Sequence, residues 1–501
     1  MRWKQNAPPL VLGLIAVLAV GWFVQWRMSF VLMPHPDWAH LGAYENALRH
    51  SRNPKAIAIR NQINAGPADL ARERAEAQRE GIPVTIAQLT QPLPPAGENA
   101  ATIYDRWNAL RRSKPLRLPV YAAPMSGRYA YTPAQIAWVQ NAFAARPDLF
   151  TLLHQATDKP QCVFTTGFKD PFTGLIESNN ASLREAAREL ETESFLMAHA
   201  GRYSEAVTTQ ARGFRVARHA AATPTLIGYL VGNAIDAITL AGLSNILAMA
   251  GPNPAVDEQI RQTIAAPDSR VSMKKALAGE VAVTLKTIDY CRAIQKPSDL
   301  VSLLGMGSGS AAPPPSAGNY SPDERRFLNK MLDAAGAEDI RRMHPLIAAA
   351  DQPPFARRAA FAPYKDVSLE NSYSNDQTKQ VDPVRALLGA LAPVWSDVNQ
   401  SDTRLNAQEQ VLMAAATVLS ARARTGAFPA RLPGVYTDPF NDKPLGYRRE
   451  GKDGFVVYSV GPEGTFTGGK SGVELTTRNF RESLFRYPRP ALKPVPPDML
   501  K

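Results

Sequence analysis

The residues that could do chemistry in this chain are few and scattered, and their spacing argues against most familiar reactions. His35 and His40 flank Asp37 in an HPDWAH segment, a spacing that could bring metal ligands together in a turn. That segment directly follows a long apolar stretch, where interfacial residues are expected on other grounds. Glu189, Glu191, Glu193 and His199 fall on one helical hairpin, yet no H-E-x-x-H or paired Glu-x-x-His spacing marks a metal bundle. There is no G-x-S-x-G elbow, and Cys162 and Cys291 have no histidine nearby in a nucleophile arrangement. An oxidising compartment would permit a Cys162–Cys291 disulfide, and two buried thiols are the alternative. Gly305, Gly307 and Gly309 cannot cradle a phosphate, because no strand feeds them and no P-loop lysine follows. No catalytic residue or cofactor-binding residue is assigned, and the expectation leans away from an enzyme.

The elements that would position such residues begin with an apolar helix. Residues 8–24 carry no charged side chain; Gln25 and Arg27 interrupt, and 28–33 is apolar again, so residues 8–33 can span a bilayer. Arg27 can reach the headgroups along its aliphatic stem, and Trp22, Phe23 and Trp26 form an interfacial belt. Arg2 and Lys4 precede the helix and favour a cytoplasmic N-terminus. Only Ala19-Val20-Gly21 offers a weak cleavage site, so an uncleaved signal-anchor is expected. A second stretch, Leu226 to Ala250, is long enough to span as well. Asp236 near its centre, with Asn233 and Asn245 to either side, makes a buried core helix the expectation.

The chain has 57 Lys and Arg against 45 Asp and Glu, a formal charge of +12. The cations are dispersed without interleaved aromatics, so no nucleic-acid groove is expected. A solvated basic surface near anionic lipid or envelope polymer fits better.

The expected fold is mainly α. Residues 1–34 form the cytoplasmic tip and anchor, and 35–134 juxtamembrane helices with Pro-rich connectors; Trp38 to Arg60 reads as one short helix and Pro67 as the opening of the next. Thr132-Pro133 opens a helix. Residues 135–300 are a helical domain. Ser182 is expected to cap its first long helix, and Gly201-x-Tyr203-x-x-Ala206 resembles the turn of a single tetratricopeptide-type hairpin. A Gly/Ser/Pro-rich linker (301–320) and an irregular or helical excursion (321–403) follow. Residues 404–470 form a small α+β module, and 471–501 a basic, Pro-rich tail.

In the module a helix over 404–424 runs into a Gly426 C-cap. Turn formers come next, then strands over 445–449 and 455–460. Gly426-Ala427-Phe428-Pro429, Asp438-Pro439-Phe440-Asn441, Lys443-Pro444 with Tyr447, and Tyr458-Ser459-Val460-Gly461-Pro462-Glu463-Gly464 follow that helix in order. Together they resemble the C-terminal part of type II secretion major pseudopilins. A similar ending occurs on uncharacterised, membrane-anchored helical proteins of bacteria, which the whole chain resembles more closely. The resemblance implies a helix packed on an antiparallel hairpin, and a calcium ion is a possible cofactor. Where the family places acidic loop ligands, this chain has Thr465-Phe466-Thr467-Gly468-Gly469, which leaves Asp438, Asp442 and Glu463 as the candidate metal ligands. The anchor also lacks the processing glycine and the glutamate of a prepilin.

The leading expectation is thus a non-catalytic envelope scaffold, single-pass in the bacterial inner membrane with its body periplasmic. Its partners would be the bilayer through residues 8–33 and other envelope proteins, with an association to secretion machinery. A hydrolase-type site among the helices of 181–294, or a peptide-binding receptor there, is the alternative.

Overall fold

The computed structural model describes residues 38, 40–113, 129–164, 178–266, 271–303, 318–364, 382–391, 395–466, 483–489 and 493–494. The expected anchor at 8–33, with His35 and Asp37, lies outside them. The helices in the first half are α1 (Leu41–His50), α2 (Pro54–Arg79), α3 (Ile86–Leu89), α4 (Ala101–Ser113), α5 (Pro133–Ala144), α6 (Pro147–Thr157), α7 (Ser178–His199), α8 (Tyr203–Ala220) and α9 (Leu226–Ala250). In the second half are α10 (Pro254–Ala265), α11 (Met273–Ala293), α12 (Pro297–Leu303), α13 (Pro322–Ala349), α14 (Pro354–Phe361), α15 (Pro383–Leu391) and α16 (Trp395–Thr425). The strands are β1 (Tyr129–Ala130), β2 (Thr437–Asp438), β3 (Lys443–Pro444), β4 (Gly446–Glu450), β5 (Gly454–Ser459), β6 (Ser483–Tyr487) and β7 (Lys493–Pro494). The protein is mainly helical with a small antiparallel sheet near the C-terminus.

The chain divides into two compact units. The first draws on Met1–Val84, Thr284–His344 and Asp366–Val394. Its first surprise is at the start. The single helix expected over 38–60 is two, because Asn53 accepts from the Lys55 N–H and Pro54 occupies the first turn, which together begin a new helix. Pro67, expected to open a helix, lies inside α2. It is on the exposed side, where the missing N–H and the ring disturb no packing, while Gly66 meets the backbone of α13 at Lys330 and Ala334. A Cβ at Gly66 would sit 2.7 Å from the Lys330 carbonyl oxygen, so the close approach of α2 to α13 needs glycine there.

The second unit comprises Thr85–Val283, Pro345–Lys365 and Trp395–Lys501. Helices α7, α8 and α9 form its centre. Gly201, at φ +76°, turns α7 into α8, and Ala206 is fully buried just beyond. Ser182 does not cap α7, which starts four residues earlier; its hydroxyl donates back to Asn179 O instead. The apolar helix α9 packs on α8, α7 and α16, and Asn233, Asp236 and Asn245 are buried with it. Its free N–H groups are held by Thr225, which accepts from Gly228, and by Glu280, which accepts from Leu226. A polar clasp joins α9, α14 and α16: Asp402 accepts from Tyr229 Oη at 2.6 Å, from Asn406 at 2.9 Å and from Arg357, whose Nε donates to Asn399 at 2.7 Å.

The long helix α16 begins nine residues before the apolar stripe predicts. It and the strands share one core with the central helices: Leu412, Ala415 and Leu419 of α16 lie with Leu243 and Leu247 of α9, Ile260 of α10, and Phe455, Val457 and Phe485 of the sheet. β5 is central, antiparallel to β4 and to β6. The basic, Pro-rich tail was given no strand, but 483–487 supplies the third one. Ser483 to Phe485 are buried, and Arg489 ties the strand to Ser244 and Asn245. The apolar alternation there is only three residues long, too short to stand out beside the prolines.

Candidate functional site

Besides the Asp402 clasp, two places among the described residues of the second unit concentrate polar side chains: the turn face of the C-terminal module, and one stripe of α7.

In the module, the Asp438-Pro439-Phe440 turn is held by its own first residue. Asp438 is 1% exposed. Its Oδ1 accepts from Phe440 N at 3.0 Å and from Ser459 Oγ at 2.9 Å, and its Oδ2 accepts from Val460 N at 2.7 Å. One carboxylate therefore fastens the Asp-Pro turn to the end of β5, which carries Tyr458-Ser459-Val460-Gly461. The other sequence words are joined in the same way. Tyr447 Oη donates to Pro429 O at 2.7 Å, and Phe428 packs on Phe455 with ring centroids 5.2 Å apart. Asp442 takes the left-handed conformation at φ 57°, and is exposed; Glu463 is exposed in the turn after β5. The three metal candidates thus divide into one buried residue whose oxygens are occupied by protein donors and two on the surface. Among the described residues no group of three or more His, Cys, Asp or Glu is arranged to hold a metal ion.

On α7, Glu185, Glu189 and Glu193 recur every four residues and share a face. Arg111 of α4 donates Nε to Glu189 Oε1 at 2.8 Å and Nη2 to Glu185 Oε2 at 3.0 Å, and Arg188 also donates to Glu185. His154 of α6 meets Glu193 at 2.8 Å. Burial pushes the Glu189 carboxyl up to about 7, against the pull of Arg111. Its Oε2 is buried without a hydrogen-bond partner among the described residues, as is the Trp107 indole N–H. That N–H lies near enough to favour the ionised form without meeting hydrogen-bond geometry. A carboxyl poised near neutrality beside an arginine can move a proton.

Sequence reasoning named Glu189 and Glu193 but missed Arg111, Trp107 and His154, which lie 39 to 82 residues upstream of them. The four-residue glutamate spacing was the available signal. Glu191 points elsewhere, and burial raises its carboxyl well above the ordinary range. His199 is exposed and stacks on Phe195. His219 is a satisfied core histidine: Tyr104 Oη and Lys159 O flank its ring at 3.0 Å each, and burial lowers it to about 4. His40 is exposed. Neither Cys162 nor Cys291 is in a disulfide, and both are buried. A cleft of about 650 Å³ lies elsewhere, in the first unit, lined by Tyr290, Gln295, Lys296, Asp299 and Asn319.

Compared with family models, with curated proteins and with solved structures, the chain matches none.

Proposed function

We infer that this chain is a non-catalytic scaffold of the bacterial envelope. Residues 8–33 hold it in the inner membrane with the N-terminus cytoplasmic, and the helical body lies in the periplasm, in association with secretion or pilus-like machinery. The observation that carries this reading is the burial of the pseudopilin-like module in the body's own core. A subunit that polymerises through its long helix must present that helix. Here α16 is covered along most of its length by α9, α10 and α14, which leaves the module's strands and turns as the described surface for a partner. The tetratricopeptide-like hairpin of α7 and α8 likewise spends its inner face on α9, which favours internal packing over peptide docking.

An export-dependent phosphatase fused after residue 501 should be active, and a cytoplasm-dependent fluorophore at the same place dark. The opposite pattern would refute the topology. A photo-crosslinker at Val435, which is 91% exposed, should give a single adduct with another envelope protein. A ladder of self-adducts would instead mean a filament.

Glu189 favours a second reading, a hydrolase using that carboxyl as general acid or base. It ranks below the first because Trp107 and Glu189 are sealed, at 0% and 4% exposure. Turnover of model esters or amides that Glu189→Gln abolishes would promote it.

A further inference from the structure

The sheet of the C-terminal module has an open edge at β4. β5 lies between β4 and β6, and α16 packs on β5 and β6. Just before β4, Lys443 and Pro444 pair with Thr437 and Asp438, and Leu445 N donates to Tyr436 O at 2.9 Å. That pairing ends before Gly446. Among the described residues, Gly446–Glu450 makes backbone hydrogen bonds to β5 alone, so alternate N–H and C=O groups of β4 face outward unpaired. Arg448 and Arg449 are both exposed. Side chains alternate along a strand, so both faces of β4 meet solvent at this edge.

The edge is also basic. Arg448 and Arg486 share the single carboxylate of Glu450, at 3.0 Å each. Asp453, in the turn after β4, lies 3.7 Å from Arg422. Arg449 and Lys452 are exposed, and neither has a carboxylate partner among the described residues. The exposed Asp442 is at the other end, in the turn before β3. Two copies of β4 laid edge to edge would set these arginines against one another, so the edge rejects its own kind and selects a strand of opposite charge.

We propose that β4 is a docking strand: an extended, acidic segment of another envelope protein adds to the sheet along Gly446–Glu450, with carboxylates beside Arg449 and Lys452. This rests on the scaffold reading and names the chemistry of its partner. Main-chain pairing supplies the attraction, and the cations set the sign of the segment that is accepted.

The test uses the full chain in nanodiscs and a fluorescein-labelled peptide, Thr-Glu-Val-Glu-Val-Glu-Thr, which favours an extended backbone and carries its acids on one face. Its binding should slow hydrogen exchange at amides within β4. Affinity should fall about tenfold or more in Arg449→Glu/Lys452→Glu. Reversing two exposed cations of α11, as Lys275→Glu/Lys286→Glu, should leave it unchanged. The same peptide N-methylated at every amide keeps its charge and loses its donors, and should bind about tenfold more weakly or worse. Unchanged protection of the β5 amides in free Arg449→Glu/Lys452→Glu shows that the sheet is intact. Should that variant unfold, the methylated peptide decides the matter on the native chain. Equal binding of the two peptides overturns strand addition, as does a loss in both charge-reversed variants alike or no binding at all. Slowed β4 exchange with anionic vesicles or an oligonucleotide, and not with the peptide, assigns the edge to lipid or nucleic acid and overturns the proposal. A single Val435 adduct with an envelope protein, in a chain that ignores the peptide, removes this contact and keeps the scaffold reading; a failed export fusion removes that reading itself.

Discussion

Asp438 offers the sharpest test of how the C-terminal module is held. Truncation as Asp438→Ala removes an acceptor from three donors. The Phe440 N–H is in a turn, where water replaces the carboxylate at little cost. Val460 N is partly buried and Ser459 is fully buried, so their donors have no such substitute. Hydrogen bonds to a charged group contribute about 1.5–3 kcal/mol each, and two count here, giving roughly 3–6 kcal/mol. Asp438→Asn keeps an acceptor oxygen and the volume, and should cost about 1–2 kcal/mol. Combining Asp438→Ala with Ser459→Ala should cost less than the sum, by about 1 kcal/mol, because each removes the same bond. With two structural units one global unfolding energy is ill-defined, so the assay is native-state hydrogen exchange at the β5 amides of Val456 and Val457. A loss of protection below about 1 kcal/mol in Asp438→Ala, or equal losses in Ala and Asn, would refute the account of the clasp.

Other expectations follow from the same geometry. Asp257 is fully buried, neither carboxylate oxygen has a hydrogen-bond partner among the described residues, and burial raises it from 3.8 to about 8. A raised carboxyl costs stability where the unfolded chain has ionised and the folded one still holds its proton, so the penalty is absent below about pH 4, grows to about pH 8 and is constant above. The slope is about 1.4 kcal/mol per unit at most. Asp257→Asn should therefore gain stability over the native chain between pH 5 and 7, by roughly 2 kcal/mol, and lose that advantage at pH 4, read by native-state hydrogen exchange at the α10 amides. At Gly279 of α11 a Cβ would lie 1.6 Å from the Pro224 carbonyl oxygen. Gly279→Ala should cost about 3 kcal/mol or more in hydrogen-exchange protection of the α11 amides, while Gly318→Ala, with open space around it, should be neutral. Arg489→Ala should weaken protection of the β6 amides by about 1–2 kcal/mol, because it frees the strand from Ser244 and Asn245. Calcium added to the full chain should leave the melting temperature unchanged, since protein donors already occupy the Asp438 oxygens.

How much of this was legible in the sequence depends on the range of each interaction. Local signals sufficed for Thr132-Pro133 at the start of α5, Gly201 and Gly426 at helix ends, and the β4–β5 hairpin, because each is decided within a few residues. Helix starts were less secure where local rules compete. Pro67 carries a start signal, yet α2 runs through it because Gly66 lets α13 pack there and the proline side faces solvent. Ser182 can cap, but four more residues find helical partners upstream. The words Phe-Pro, Asp-Pro-Phe and Tyr-Ser-x-Gly were readable as a set; that Asp438 binds Ser459 and Val460 was not, because the contact spans 21 residues. Nor could the sequence pair Arg111 with Glu189 or recruit 483–487 to β5, since both depend on where separate helices meet. By itself the sequence determined the mainly helical class, the helix-then-hairpin order of the C-terminal module and the apolar character of α9, because those follow from periodicity and composition. Only the tertiary structure decided that α9 and α16 bury one another along with the sheet, and that the module is therefore part of the body: apolar surface is non-directional, and its partner is chosen by the packing of the whole chain.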